Sequence, residues 1–428
     1  NFVRAYQSVR NYRDIDDSET LLEVVEGAIE ALSKTAEQMP QSAEVHHLLG
    51  TMYHLRFLES GNTNAAVDGQ SHYLLSLDLA AKNPRYRAPL LQQLGQLQSA
   101  VGNHYRAVER FEERERLPFS TATSYLNLLM MKARSQYHSA RPSDASSTTR
   151  EALSFVKKTD AISIYLPWVL NRLGFYLYAA EDYEAALEVY LQAEMPGRPG
   201  SDTEKKDSWN HVRHLTMKAA SALGSGQLEV AKSVLSESLS EVASIKHSSP
   251  APFGTPGARG RAAQHSPQDQ RIIILGLQSQ VATKMGEWDV ARAKLESRRK
   301  LILDRYRELE RPHDLAELAH ASYGLATFAW RRKDYESVRK HLEDGLENMD
   351  TFNEENATLL HPATIELVRG YAALHFYGKI PLDSLSEDLP QRLGLLYDEL
   401  CLRDNPKWER ERFILGVYRS MLRLRSHQ

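Results

Sequence analysis

The stretch LNRLGFYLYAAEDYEAALEVYLQA, residues 170–193, is the most regular part of this chain. It predicts two short helices joined by a tight turn at residues 181–182. Gly174, Ala186 and Tyr190 follow one another along the stretch, and no obvious catalytic group lies among them. Small residues let two antiparallel helices approach closely, and a large aromatic ring fills the space that remains. The stretch therefore predicts a packing unit.

The same spacing of small and aromatic residues occurs elsewhere in the chain. Gly95, Ala107 and Phe111 repeat the pattern of the opening stretch, with the turn VGNHYRA in place of AEDYEAA. Related turns are MGEWDVA before Ala291, RKDYESV before Val338 and the weaker LGSGQLEVA. The aromatic residue after the turn is expected to fold back over its hairpin at Tyr105, Tyr183, Trp288 and Tyr335. Internal repetition of this kind indicates a stack of helix pairs.

This pattern resembles the tetratricopeptide repeat (TPR), a helix–turn–helix unit of about 34 residues. The resemblance is good in residues 88–118, 167–196, 273–302 and 319–347, and weaker in 43–84 and 212–241. It extends to 121–158 and 362–402 only as helical pairs. Apolar residues recur at intervals of three and four almost throughout, whereas strand signals are few. We therefore expect an all-α fold, a right-handed α-solenoid of stacked antiparallel helix pairs that forms a TPR-like superhelix.

With 428 residues, the chain exceeds the size of one hydrophobic core. Residues 246–268 are rich in Pro, Gly and Ser, so they predict a flexible loop between repeats 1–245 and repeats 269–406. Residues 139–149 and 194–207 are expected to be loops as well. Residues 407–428 predict an amphipathic helix with an apolar stripe at Phe413, Val417, Met421 and Leu424. We expect this helix to cap the last repeat, with docking to a partner or an anionic surface as the alternative.

Composition and motifs argue against an enzyme and against metal or cofactor binding. The formal net charge is -3, and Cys401 is the only cysteine. No phosphate-binding loop, nucleophile elbow or zinc-protease motif occurs in the sequence. His211 and His214 are one helical turn apart, the spacing of two metal ligands, but a third ligand is not apparent. His46 and His47 likewise do not indicate a metal site. We expect these histidines to be surface or interhelical hydrogen-bonding groups.

The resemblance also implies where a ligand binds, because the first helices of successive TPR pairs line a concave groove. Matched position by position, the groove residues are Gln92, Gln96 and Ser99, then Trp168, Asn171, Phe175 and Tyr178, and finally His320, Tyr323, Thr327 and Trp330. Aromatic rings of this kind are also common in cores. The lysine and arginine clamp of chaperone-binding members is missing from these positions. An extended or helical segment with apolar anchors is therefore the expected ligand.

These observations predict a non-enzymatic interaction scaffold or adaptor that binds partner proteins within a larger complex. Nucleic acid is not expected as a partner because basic residues are not gathered into a stripe. Contact with a membrane is expected only indirectly or through the C-terminal helix, and the location is expected to be cytoplasmic. Because residue 1 is Asn and not Met, the sequence leaves open whether a processed or omitted segment precedes it. The alternatives are an RNA-binding helical repeat and the regulatory region of a larger enzyme.

Overall fold

The computed structural model describes residues 18–80, 83–193, 203–245, 266–356, 362–376, 389–402 and 409–426. Over these ranges the chain is helical and has no strand, which confirms the all-α prediction. Packing divides the chain into two units, Asn1–Pro267 and Gln268–Gln428. The predicted loop 246–268 ends at this boundary, and its residues 246–265 lie outside the described ranges.

The helices of unit 1 form a solenoid in which each helix contacts the next along the chain. They are α1 (Ser18–Gln38), α2 (Ala43–Ser60), α3 (Thr63–Leu79), α4 (Pro84–Ala100), α5 (His104–Glu115), α6 (Ala122–His138), α7 (Pro142–Lys158), α8 (Leu166–Ala179), α9 (Tyr183–Gln192), α10 (Thr203–Gly224) and α11 (Leu228–Ser244), with a short 3₁₀ helix at Asp160–Tyr165.

Unit 2 continues with α12 (Pro267–Lys284), α13 (Trp288–Leu309), α14 (Pro312–Arg331), α15 (Tyr335–Asn356), α16 (Pro362–Phe376), α17 (Leu389–Leu402) and α18 (Glu409–Ser426). Three of these helices are held together by ion pairs, in which Arg305 of α13 bonds Asp269 of α12 and Asp314 of α14. All three charged side chains are almost inaccessible to water, and a buried charge is tolerated only when it is paired in this way.

Six hairpins of the two units share one register, namely α4/α5, α6/α7, α8/α9, α10/α11, α12/α13 and α14/α15. Each first helix carries a small residue that we call the pivot: Gly95, Ala133, Gly174, Ala219, Ser279 and Ala326. Seven residues after each pivot the backbone is left-handed, at Gly102, Ala140, Glu181, Gly226, Gly286 and Lys333. Twelve residues after each pivot lies a buried small or β-branched residue: Ala107, Ala145, Ala186, Ala231, Ala291 and Val338.

The turn of each hairpin closes with the same hydrogen bond. The residue after the left-handed one donates its N–H to the carbonyl five residues earlier, as in Asn103 to Gln98 at 2.8 Å and Asp182 to Leu177 at 3.0 Å. A left-handed residue with this bond is a common way to end a helix, because it satisfies a terminal carbonyl. The turn therefore fixes how the second helix leaves the first.

At the two glycine pivots, the side chain sixteen residues later packs against the pivot. At Gly174, an added Cβ atom would lie 2.7 Å from Cζ of Tyr190, and at Gly95 it would lie 2.6 Å from Cε1 of Phe111. Both rings are buried. The predicted packing of small against aromatic residues is thus confirmed, and glycine is needed at these pivots because nothing larger fits.

Two sequence-based predictions about local structure are wrong. Residues 139–149 are not a loop, because α7 begins at Pro142 and only residues 139–141 link it to α6. Proline suits this position, since the first helical residue needs no N–H donor. Tyr105 does not fold over its hairpin but is 64% exposed, unlike Tyr183, whose ring centroid is 5.4 Å from that of Tyr178. Of the predicted loop 194–207, residues 194–202 lie outside the described ranges and 203–207 belong to α10.

The C-terminal helix packs through a different side than its apolar stripe predicts. Phe413 is 73% exposed and Val417 is 38% exposed, whereas Leu415 is buried and Tyr418 packs against the same core. The predicted capping by the Phe413–Val417 stripe is therefore wrong for these two residues. The side chains of Met421 and Leu424 lie outside the described part of the structure.

The pivot contact predicts opposite effects of one substitution at two glycines. Gly174→Ala should lower the free energy of unfolding by about 1–3 kcal/mol, because the methyl group collides with the ring of Tyr190. Gly27→Ala, in α1, should raise it by about 0.5–1 kcal/mol, because nothing lies within 4 Å of the new methyl group and alanine favours helix. Urea unfolding followed by circular dichroism measures both. Equal effects at the two glycines would contradict the pivot contact.

Candidate interaction surface on the first helices

The first helices of successive hairpins in unit 1 lie beside one another. α2 contacts α4, α4 contacts α6, and α8 contacts α10. α6 and α8 are joined by the rings of Tyr137 on α6 and Phe175 on α8, whose centroids are 5.0 Å apart. We call the surface formed by α2, α4, α6, α8 and α10 the first-helix face.

The predicted groove residues of unit 1 all lie on this face and are half-buried: Gln92, Gln96, Ser99, Trp168, Asn171, Phe175 and Tyr178. Gln96 donates its amide N–H to Sδ of Met131 at 3.0 Å, and Ser99 accepts from the Ser135 hydroxyl at 3.2 Å. Both contacts join α4 to α6. The residues are therefore held by neighbouring helices, and each keeps part of its surface accessible.

An aromatic cluster, Tyr137, Phe175 and Tyr176, occupies the middle of the first-helix face. The Tyr137 ring lies 5.7 Å from Tyr176 as well as 5.0 Å from Phe175, and Phe175 lies 5.5 Å from Tyr176. The contacts of Phe175 with Tyr137 and Tyr176 are edge-to-face, a geometry that adds to the stabilisation from burial alone. Tyr176 is buried, whereas Tyr137 and Phe175 are half-buried, so these two rings are held in place and still reach solvent.

Two histidines extend the cluster. His138 lies 5.1 Å from Tyr137, and the rings of His104 and His138 stack at 4.7 Å. Burial lowers the pKa of His138, and the charge of Arg134 lowers it further. Burial also lowers the pKa of His104, with His138 and Arg134 adding to the effect.

Three arginines on this face were not predicted from sequence. Arg134, Arg172 and Arg213 lie on α6, α8 and α10, and all are half-buried. Burial lowers the pKa of Arg172, and the positive charge of Arg134 lowers it further. Burial likewise lowers the pKa of Arg213, with Arg172 contributing. The charge of Arg134 thus bears on the pKa of Arg172, and the charge of Arg172 bears on the pKa of Arg213. We call these three residues the arginine row.

The pivot register is the signal that could have found Tyr137 and the arginine row. Ala133 and Ala145 are twelve residues apart, like Gly174 and Ala186, so residue 134 is equivalent to Phe175 and residue 137 to Tyr178. Ala219 and Ala231 show the same spacing and make Arg213 equivalent to Trp168. These equivalent positions can be recognised only if alanine, as well as glycine, is allowed at the pivot.

The predicted groove residues of unit 2 lie on α14. His320 is exposed and its Nδ1 is 3.2 Å from a carboxylate oxygen of Glu366. Arg369 donates to the Tyr323 hydroxyl at 3.4 Å, and the half-buried Trp330 ring lies 5.7 Å from Tyr335. Thr327 is exposed, and its hydroxyl donates to the carbonyl of Tyr323. In this unit His320 and Tyr323 thus have polar partners on α16.

The histidines with ligand-like spacing have other contacts. His214 is buried and its ring lies 5.3 Å from Tyr190, while His46 is 3.1 Å from His72 through their Nδ1 atoms. His47 bonds the side-chain oxygen of Gln93. In the ranges that the structure covers, no three His, Cys, Asp or Glu side chains are grouped so that they could hold a metal ion. No helix in these ranges has the length and hydropathy that a bilayer span requires.

Comparison with known proteins finds similar structures but no similar sequence family. No family model matches the chain, and no curated protein matches it. Among solved structures, the apo form of RapI is 12% identical, with a TM-score of 0.47 and coverage of 87% of this chain and 96% of that one. The C-terminal part of a TPR repeat-containing protein from Cytophaga hutchinsonii is 13% identical, with a TM-score of 0.46 and coverage of 70% and 95%. NprR in complex with its cognate peptide NprX is 13% identical, with a TM-score of 0.40 and coverage of 93% and 99%.

The buried imidazole of His214 predicts acid sensitivity. Burial lowers its pKa from 6.5 to about 4, with Lys218 and His211 contributing. The unfolded chain therefore binds a proton that the folded chain excludes, and stability is lost as the pH falls from 6.5 to about 4. Replacement His214→Gln should reduce this acid-induced loss by about 2–3 kcal/mol. Urea unfolding across this pH range measures it, and the comparison at neutral pH gives the packing effect alone. Parallel stability–pH curves for the two proteins would contradict the prediction.

Proposed function

We propose that this chain is a non-enzymatic interaction scaffold or adaptor within a larger protein complex. Its first-helix face in unit 1 binds an extended or helical segment of a partner protein. The observation that carries the proposal is the row of half-buried aromatic and amide side chains on adjacent first helices, centred on Tyr137 and Phe175. These groups suit recognition of a chain segment, because rings anchor apolar side chains and amides bond to a peptide backbone.

Prior fixation of these rings favours tight binding. A side chain that is already immobile loses little conformational entropy when a ligand covers it. Phe175 and Tyr137 are held against each other and against Tyr176, yet both keep accessible surface. Aromatic residues in such settings are the ones that most often dominate binding energy at protein interfaces.

An RNA ligand is the second candidate, and the arginine row beside aromatic rings favours it. Single-stranded nucleic acid binds to surfaces where bases stack on aromatic side chains beside positive charge. A peptide fits the face better, because the amides Gln92 and Gln96 lie on α4, a helix that carries none of these three arginines. They therefore extend the face beyond its charged part.

Removal of the Phe175 ring should weaken ligand binding while the chain stays folded. Peptides selected on the purified full chain from a displayed random library should bind Phe175→Ala at least about tenfold more weakly, since an anchor ring is removed. Tyr105→Ala is the matched control, because Tyr105 is an exposed aromatic residue on the second helix of a hairpin. Its affinity for the same peptides should change less than about twofold.

Circular dichroism and urea unfolding must show that Phe175→Ala is folded. If the folded variant retains the selected peptides with unchanged affinity, the first-helix face is not the binding surface. If Phe175→Ala unfolds, Asn171→Ala takes its place, since the half-buried Asn171 lies one helical turn from Phe175 on the same face. A selected set that binds Tyr105→Ala as weakly as Phe175→Ala would place the site elsewhere.

A further inference from the structure

We propose that a second interaction surface, at the end of the α6/α7 hairpin opposite its turn, binds an arginine side chain of a basic partner segment. Its members are Phe119, Tyr125, Glu151 and Phe155, which we call the aromatic–carboxylate patch. They come from the link between α5 and α6, from the first turn of α6 and from α7. Tyr125 and Tyr137 are about 18 Å apart along α6, so the patch is separate from the aromatic cluster of the first-helix face.

The three rings of the patch are held in place by contacts with one another. The ring centroids of Phe119 and Tyr125 are 4.8 Å apart, and those of Tyr125 and Phe155 are 4.9 Å apart, both in edge-to-face geometry. Each ring also packs against buried apolar residues of the hairpins. All three rings are half-buried and keep accessible surface. Side chains that are already fixed lose little conformational entropy when a ligand covers them.

A carboxylate lies beside these rings. Glu151 is one helical turn before Phe155 on α7, and the Tyr125 hydroxyl donates to a carboxylate oxygen of Glu151 at 2.5 Å. Glu151 is exposed, and no basic side chain of the described residues forms an ion pair with it. Burial raises the pKa of Tyr125, and Glu151 and then Glu115 raise it further. The charges that act on this ring are therefore negative, so the patch is complementary to a cation.

The chain already places one guanidinium on this row of rings. Cζ of the buried Arg114 lies 4.0 Å from the ring centroid of Phe119. A guanidinium in this position is attracted by the negative charge on the face of the ring. Among the described cations, none lies over Tyr125 or Phe155 in the same way. An arginine bound there would contact a ring and the carboxylate of Glu151 at once.

Arginine fits this combination better than lysine or an apolar side chain. Its planar guanidinium stacks on a ring and also offers paired N–H groups to a carboxylate. A lysine ammonium is more strongly hydrated and does not stack. An apolar side chain would cover the carboxylate of Glu151 without neutralising it, which costs free energy. Lys157 and Lys158 end α7 and are exposed, so this region has no general attraction for cations, and recognition depends on the patch itself.

Peptide selection on two forms of the chain tests the proposal. Peptides from a displayed random library that bind the full chain but not Glu151→Gln should be enriched in arginine. In such a peptide, replacement of the arginine by citrulline, a neutral side chain of similar shape, should weaken binding at least about tenfold. Phe155→Leu should weaken the arginine form about threefold and the citrulline form less than about twofold, because the contact between cation and ring is lost.

The control is a carboxylate without neighbouring rings. Glu188→Gln removes an exposed carboxylate from the second helix α9 and should leave both affinities unchanged. Urea unfolding should show that Glu151→Gln is folded, because a glutamine oxygen can still accept from the Tyr125 hydroxyl. If Glu151→Gln unfolds, Phe155→Leu takes its place in the selection, since leucine keeps the apolar packing. Equal weakening of the arginine and citrulline forms by Phe155→Leu would overturn the proposal.

Other occupants of the patch give different results. Peptides without arginine that lose affinity on Phe155→Leu but not on Glu151→Gln would make the patch an apolar site and overturn the proposal. A lysine form that binds more tightly than the arginine form would also overturn it. If no selected peptide depends on Glu151 while others depend on Phe175, the patch is not a binding surface and the proposed function stands. Weakening of the arginine form by added salt, with little effect on the citrulline form, would support the patch.

Discussion

The left-handed turn seven residues after each pivot is the constraint that both units share, because it sets the direction of the second helix in all six hairpins. At Gly95 and Gly174 the side chain sixteen residues later packs so close to the pivot that a methyl group has no room. Because the turn recurs in six hairpins, each hairpin presents equivalent sides to its neighbours. Stacking then follows from burial of the remaining apolar sides, since a single hairpin cannot bury them alone.

This constraint also leaves some positions free. The pivot, the residue twelve later and the side chain sixteen later are occupied by packing, and they are small or apolar in five of the six hairpins. In α4, α6 and α8, the residues one and four positions after the pivot lie on the first-helix face and keep part of their surface accessible. These positions vary widely, from Gln96 and Ser99 to Arg134 and Tyr137 and to Phe175 and Tyr178. One backbone scheme thus carries several surface chemistries.

The sequence predicts most of the six hairpins, including those whose pivots are Ser279 and Ala326, and predicts the hairpin of Ala133 poorly. The pattern of Gly174, Ala186 and Tyr190 predicts its hairpin, because these residues at this spacing indicate a close contact between two helices. Ala133 and Ala145 carry no such signal, and Pro142 made the start of α7 resemble a loop. The surface of α6 was missed for the same reason. The prediction that the apolar stripe of α18 packs against its neighbours was wrong for another reason. An apolar stripe does not show which side of a helix the neighbouring helices cover.

The groove residues illustrate what a sequence pattern can and cannot establish. Position on a first helix follows from the register, and the structure finds each predicted groove residue of unit 1 half-buried there. The interaction between Arg134, Arg172 and Arg213 does not follow from any one hairpin, because it depends on three helices that stacking brings together.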